Sequence, residues 1–151
     1  MEKLWIYQAD RKFTDDEATA IAQKLRKFTA NWAAHGQALK AQAAVMHNLF
    51  ILLQVDEARA KASGCSIDSS VALMREIESE YHVNLFDRQQ VAYKQNDEVH
   101  TTTLQELPQL FSTGKLTENT LVFNNLIQTP NELERSWAVP LKESWHKRFL
   151  N

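Results

Sequence analysis

The chain has 151 residues, 44% of them apolar and 24% charged, with a formal charge of −2. That length fits one domain of roughly 100–200 residues, and the balance of apolar and charged residues excludes a disordered chain. It also excludes the strongly basic surface of a nucleic-acid binder. Cys65 is the single cysteine, so no disulfide can form within the chain.

Leu4-Trp5-Ile6-Tyr7 is aromatic and β-branched and predicts a first strand. The first residues lack the apolar core of a secretory signal, and the longest apolar run, Leu49 to Leu53, is far below the ~20 residues that span a bilayer. These features predict a cytoplasmic protein without membrane insertion.

A helix follows. Thr14 caps it, with Glu17 three residues on and Asp15 and Asp16 favouring the dipole. Ala18, Ile21, Ala22, Leu25, Phe28 and Trp32 lie on its apolar face, and Gly36 is the expected stop. Gln37 to Val45 is alanine-rich and fits no element clearly. His47-Asn48 then predicts a turn into a buried strand over Asn48 to Val55.

Beyond a small, polar stretch from Ala60 to Ser66, Ile67, Val71, Met74, Ile77 and Tyr81 make the stripe of a second helix. Arg88 to Lys94 and Glu98 to Thr103 read as a hairpin turning at Gln95-Asn96-Asp97. Leu104 to Phe111 predicts a short helix, and Leu121-Val122-Phe123 a strand. Pro130, capped by Thr129, opens a helical tail in which Leu133, Trp137, Leu141, Trp145 and Phe149 recur every four residues, with a break or kink at Pro140. No composition shift marks a boundary, so the expectation is one α+β domain over residues 1–151. Its order of elements matches a ferredoxin-like βαββαβ core, with an extra hairpin strand and a helical C-terminal extension.

The most suggestive local feature is Ser63-Gly64-Cys65-Ser66-Ile67-Asp68, between a buried strand and a helix. Unpaired N–H groups at a helix start can hold a phosphate or carboxylate and can activate a thiol. On that reading Ser63, Gly64, Cys65, Ser66 and Asp68 form an anion site, with Cys65 as a candidate nucleophile. On the structural reading Ser66 is the helix cap, Asp68 a first-turn acid and Cys65 a small buried hydrophobe.

Of the five histidines, none is tied to Cys65 by spacing. His35, beside the expected helix stop, is the first candidate partner, although a helix C-terminus equally favours a charge–dipole role. The sequence has no CxxC, no HExxH and no paired histidines at helical spacing, and it implies no metal or cofactor. Trp5 and Trp32 fit core positions. Trp137 and Trp145 either pack onto the sheet or anchor a partner, and His146-Lys147-Arg148 forms a small basic tip.

Trp32-Ala33-Ala34-His35-Gly36, Asn48-Leu49-Phe50, Val55-Asp56-Glu57, the Ser63–Asp68 loop, Val91-Ala92-Tyr93 and Ser144-Trp145-His146-Lys147-Arg148 together resemble a family of small bacterial proteins that often carry the label "ABC transporter ATPase". The likeness runs over most of the chain and implies no established activity or catalytic residues. The label also meets a chemical obstacle here. A P-loop needs G-x-x-x-x-G-K-[ST] to cradle phosphates and Mg²⁺. Gly114-Lys115 is the only Gly-Lys pair; Leu116 follows it, and Gln109 stands where the earlier glycine belongs. The expected function is therefore a non-catalytic cytosolic module that binds a protein partner or a small ligand, with a homodimer among the possible partners. A small enzyme or anion-binding protein built on the Ser63–Asp68 loop is the alternative.

Overall fold

The computed structural model describes residues 2–151. It has the α+β class expected from the sequence, and of the mixed or antiparallel sheet that class left open it has antiparallel pairing throughout. The chain gathers into two compact units, one running to Phe86 and taking in Gln128–Pro130, the other made of Asp87–Ile127 and Asn131–Asn151.

In the first unit, strand β1 (Glu2–Gln8) leads to helix α1 (Asp15–Asn31). The Thr14–Glu17 capping box forms as read, and the Arg11 guanidinium grips the Glu17 carboxylate with two hydrogen bonds. That pairing and the Thr14 N–H hold the Glu17 carboxyl at a pKa of about 2.

Helix α1 stops at Trp32, earlier than expected, because Trp32 is extended and the chain turns into a small hairpin, β2 (Ala33–Ala34) and β3 (Gln37–Ala38). Its two turn residues, His35 and Gly36, have φ of 52° and 79°. Two left-handed residues in a row mark the turn that matches strand twist. Gly36 is thus a hairpin glycine and not a helix stop.

The ambiguous alanine-rich stretch resolves into strand β4 (Lys40–Met46), joined through His47–Leu49 to β5 (Phe50–Asp56). Both His47 and Asn48 take positive φ, as the turn reading required. Helix α2 (Gly64–Tyr81) completes the unit. Its buried stripe is Ser66, Ser70, Leu73, Met74 and Ile77, while Ile67, Val71 and Tyr81 are only half-buried.

In the second unit, β6 (Gln90–Gln95) and β7 (Glu98–Thr103) form the expected hairpin, with Asn96 and Asp97 left-handed. A 3-10 turn and helix α3 (Leu107–Ser112) follow, then β8 (Leu121–Phe123). Helix α4 (Pro130–Ser136) begins at Pro130 but ends after seven residues. Ala138–Pro140 is instead strand β9, paired with β8, and two 3-10 turns, Leu141–Glu143 and Trp145–Phe149, finish the chain. Pro140 excludes its predecessor from helical geometry, so the four-residue spacing of apolar side chains serves a strand and two turns in place of a continuous helical extension. Val91, Tyr93, Leu104, Leu107, Leu116, Val122 and Leu141 form the core of this unit, with Trp145 and Phe149 packed on it.

The strands expected in one ferredoxin-like sheet are divided between two. One sheet has the order β1-β5-β4, the other β7-β6-β8-β9, and every pairing is antiparallel. The cause lies in which strands are apolar on both faces. Phe50, Ile51, Leu52, Leu53 and Val55 are all buried, so β5 takes the centre of its sheet. Val91, Ala92 and Tyr93 place β6 inside the other sheet in the same way.

Candidate functional site

The Ser63–Asp68 loop does sit at a helix start, and its hydroxyls are already committed. Ser63, not Ser66, is the cap. Its Oγ accepts the Ser66 N–H at 3.2 Å, while Ser66 Oγ accepts the Ser63 N–H at 2.7 Å and donates to the Ser63 carbonyl at 2.8 Å. Ser66 stands at the third helical position, 2% exposed, and its carbonyl accepts the Trp32 indole N–H at 2.8 Å. Trp32 also packs against Trp5 and Phe28 in a cluster with Leu39, Val55 and Ala60. The end of α1 is thereby clamped to the start of α2, a contact that no spacing in the sequence announces.

Cys65 is exposed, which overturns its reading as a small buried hydrophobe. Asp68 and Ser69 are exposed as well, and Ser69 Oγ donates to the Cys65 carbonyl. Gly64 has an ordinary backbone, and a Cβ there would meet nothing within 4 Å. The two backbone N–H groups at the first helical positions, Gly64 and Cys65, are the donors that the capping box leaves over. The loop can therefore offer an anion two N–H groups beside a thiol.

The proposed base for that thiol, His35, follows three residues after Trp32, whose indole reaches the Ser66 carbonyl. His35 lies in the turn between β2 and β3, not at a helix end, so its charge–dipole role does not arise. His82 caps the far end of α2, about 26 Å along the axis from Cys65 at 1.5 Å per residue. His47 is in the turn between β4 and β5. Among the described residues, no three of His, Cys, Asp and Glu gather where they would hold a metal.

Residues ahead of the loop carry order that the sequence reading missed. Asp56 Oδ1 accepts the Ala58 N–H, and Glu57, whose side chain is buried, accepts the Ala62 N–H with one oxygen while its other lies 3.8 Å from Lys3 Nζ. An Asp followed two residues on by a free N–H is the available signal for that turn.

The tail residues pack inward. Trp137 is 5% exposed, stands edge-on to Phe123 and donates its indole N–H to Asn125. Trp145 is half-buried and donates to Asn124. His146 is no part of a basic tip: it is 2% exposed, stacked on Trp145, with Nδ1 bonded to Ser144 Oγ. Burial pushes its imidazole down to a pKa of about 4. Lys147 and Arg148 remain exposed.

The outer edge of β4, like that of β7, carries backbone with no strand beside it. β4 pairs with β5 along all seven residues and with no strand on its other side. Alternate residues of such an edge point their N–H and C=O groups outward. Lys40, Gln42 and Ala44 are exposed on one face, and Lys40, Ala41 and Gln42 line a depression of about 300 Å³ with Glu2, Gln54 and Asp56. Lys40 Nζ lies 3.5 Å from Asp56 there.

The opposite edge of this sheet differs, since Leu4 of β1 donates to the Gln128 carbonyl. No protein-family model, curated protein or solved structure matches the chain. Among the described residues no helix is long and apolar enough to cross a membrane.

Proposed function

We propose that this chain is a non-catalytic protein-binding module that accepts an extended segment along the outer edge of β4. The observation that carries this reading is the seven-residue edge itself, Lys40–Met46, in unbroken register with β5 and unpaired beyond it. Such edges are ordinarily blunted by proline, by charged side chains, lysine above all, or by a bulge. β4 has no proline and no bulge, and its one charge, Lys40, stands at its end. Adding a strand supplies main-chain hydrogen bonds for affinity, and alternate side chains supply selectivity. Trp137 and Trp145, read from the sequence as either core residues or partner anchors, pack inward.

The test is selection of binders from a random peptide library, followed by hydrogen exchange. Binders should slow exchange at outward-facing amides within Lys40–Met46, and the Ala43→Pro chain should lose them. Binders that protect other segments and survive Ala43→Pro would overturn the reading.

A second reading draws on the exposed Cys65 thiol and the two free N–H groups beside it: a small anion held at the start of α2. Inorganic phosphate that raises the unfolding temperature of the wild-type chain, and not of a Ser63→Ala chain that still folds, would favour it.

A further inference from the structure

The chemistry of β4 narrows what can lie against it, given the reading of β4 as a docking edge. An antiparallel partner places each side chain directly opposite one of its own, and like charges in such a position are destabilising. A strand whose single charge lies away from its centre meets a copy of itself without that penalty, and Lys40-Ala41-Gln42-Ala43-Ala44-Val45-Met46 is such a strand.

When it is turned about Ala43, Lys40 faces Met46, Ala41 faces Val45 and Gln42 faces Ala44. The single charge of the strand never meets its copy. The long Lys40 stem gains an apolar neighbour, and its ammonium keeps Asp56 within 3.5 Å. The register preserves the two faces as well. Exposed Lys40, Gln42 and Ala44 stay together on one side, while half-buried Ala41, Ala43 and Val45 stay on the side packed by α1. All seven residues are used, and none overhangs.

We propose that a second copy of this chain occupies the β4 edge, the two strands running antiparallel about a two-fold axis through Ala43, so that two three-stranded sheets become one of six. A two-fold contact uses the same surface patch on both partners, as this one does.

Gln42 and Ala44 give a test that leaves the fold alone, because both side chains are exposed. Sedimentation equilibrium of the full chain should give twice 17.4 kDa. The Q42K/A44K chain, which sets lysine opposite lysine across the axis, should sediment at 17.4 kDa. The Q42E/A44K chain sets glutamate opposite lysine and should return to the dimer.

A wild-type chain that stays monomeric up to about 1 mM, where association would be weaker than ~4 kcal/mol, would overturn the self-pairing. So would a dimer indifferent to Q42K/A44K. Either result, with peptide binding along β4 still intact, would leave the edge reading standing and assign its occupant to another protein.

Discussion

The start of α2 and the outer edge of β4 both face the question of what to do with backbone groups that regular secondary structure leaves over. At α2 the answer is closure from within. Two serines exchange hydrogen bonds, an indole N–H takes a carbonyl, and a buried carboxylate holds the loop in front. At β4 one face is packed by α1 and the outer edge is left without a strand: the strand is long, regular and paired on one side only. A glycine, a cysteine and serines at a helix start suggest a site to a reader of sequence, whereas an alanine-rich strand suggests little. The hydrogen bonds reverse that ranking, because groups already satisfied by their neighbours have little left to offer a ligand.

This contrast breaks most visibly at Trp32. Trp32→Ala removes a ring packed on Trp5 and Phe28 together with the bond to Ser66, and should cost about 3–5 kcal/mol in urea unfolding. A loss below about 1 kcal/mol would mean that the clamp between α1 and α2 is not closed as described.

Closure of the same kind governs His146, and pH exposes it. Its pKa is about 4 when folded against an ordinary 6.5. Between these values the unfolded chain binds more protons, so stability should fall as pH drops from about 6.5 to 4 and the loss should be complete below that. The shift corresponds to roughly 3 kcal/mol. Unfolding free energies measured from pH 7 to pH 4 should show this slope in the wild type and a flatter one in a His146→Phe chain.

Ser66→Ala is the more local version. It removes the acceptor of the Ser63 N–H at a nearly buried position and should cost about 1–3 kcal/mol. Chemical denaturation of Ser66→Ala beside Cys65→Ala separates the two roles proposed for this loop, since the exposed thiol should be dispensable to stability.

The elements were largely legible in the sequence where local chemistry decides them. The Thr14–Glu17 box, the His47-Asn48 and Asn96-Asp97 turns and Pro130 all act over three or four residues, and each appears where it was read. What was not legible depends on distant partners. Gly36 is compatible with a helix end or a hairpin, and only the Trp32 conformation chooses between them. The single-sheet expectation gave way because burial on both faces of β5 and β6, not the order of elements, selects the central strands. His146 reads as the first residue of a basic run, yet its neighbour Trp145 and its bond to Ser144 turn it inward. The Ser63–Asp68 loop was the least legible, because whether a hydroxyl is free or spent is a property of contacts three to thirty-four residues away.

The smallest expected effect is the one that sharpens the comparison furthest. If the face of β4 that carries Gln42 and Ala44 is left open by the fold, replacing both with lysine should change the stability of the isolated chain by no more than about 0.5 kcal/mol, as for surface substitutions elsewhere. The measurement must be made at a concentration too low for association, because a dimer adds stability that depends on concentration. A Q42K/A44K chain as stable as the wild type at low concentration, and less stable than it at high concentration, separates what β4 contributes to folding from what it holds in reserve for a partner. A Q42K/A44K chain destabilised as much as Ser66→Ala would instead place Gln42 and Ala44 among the closed regions, and the edge of β4 would lose its distinction from the start of α2.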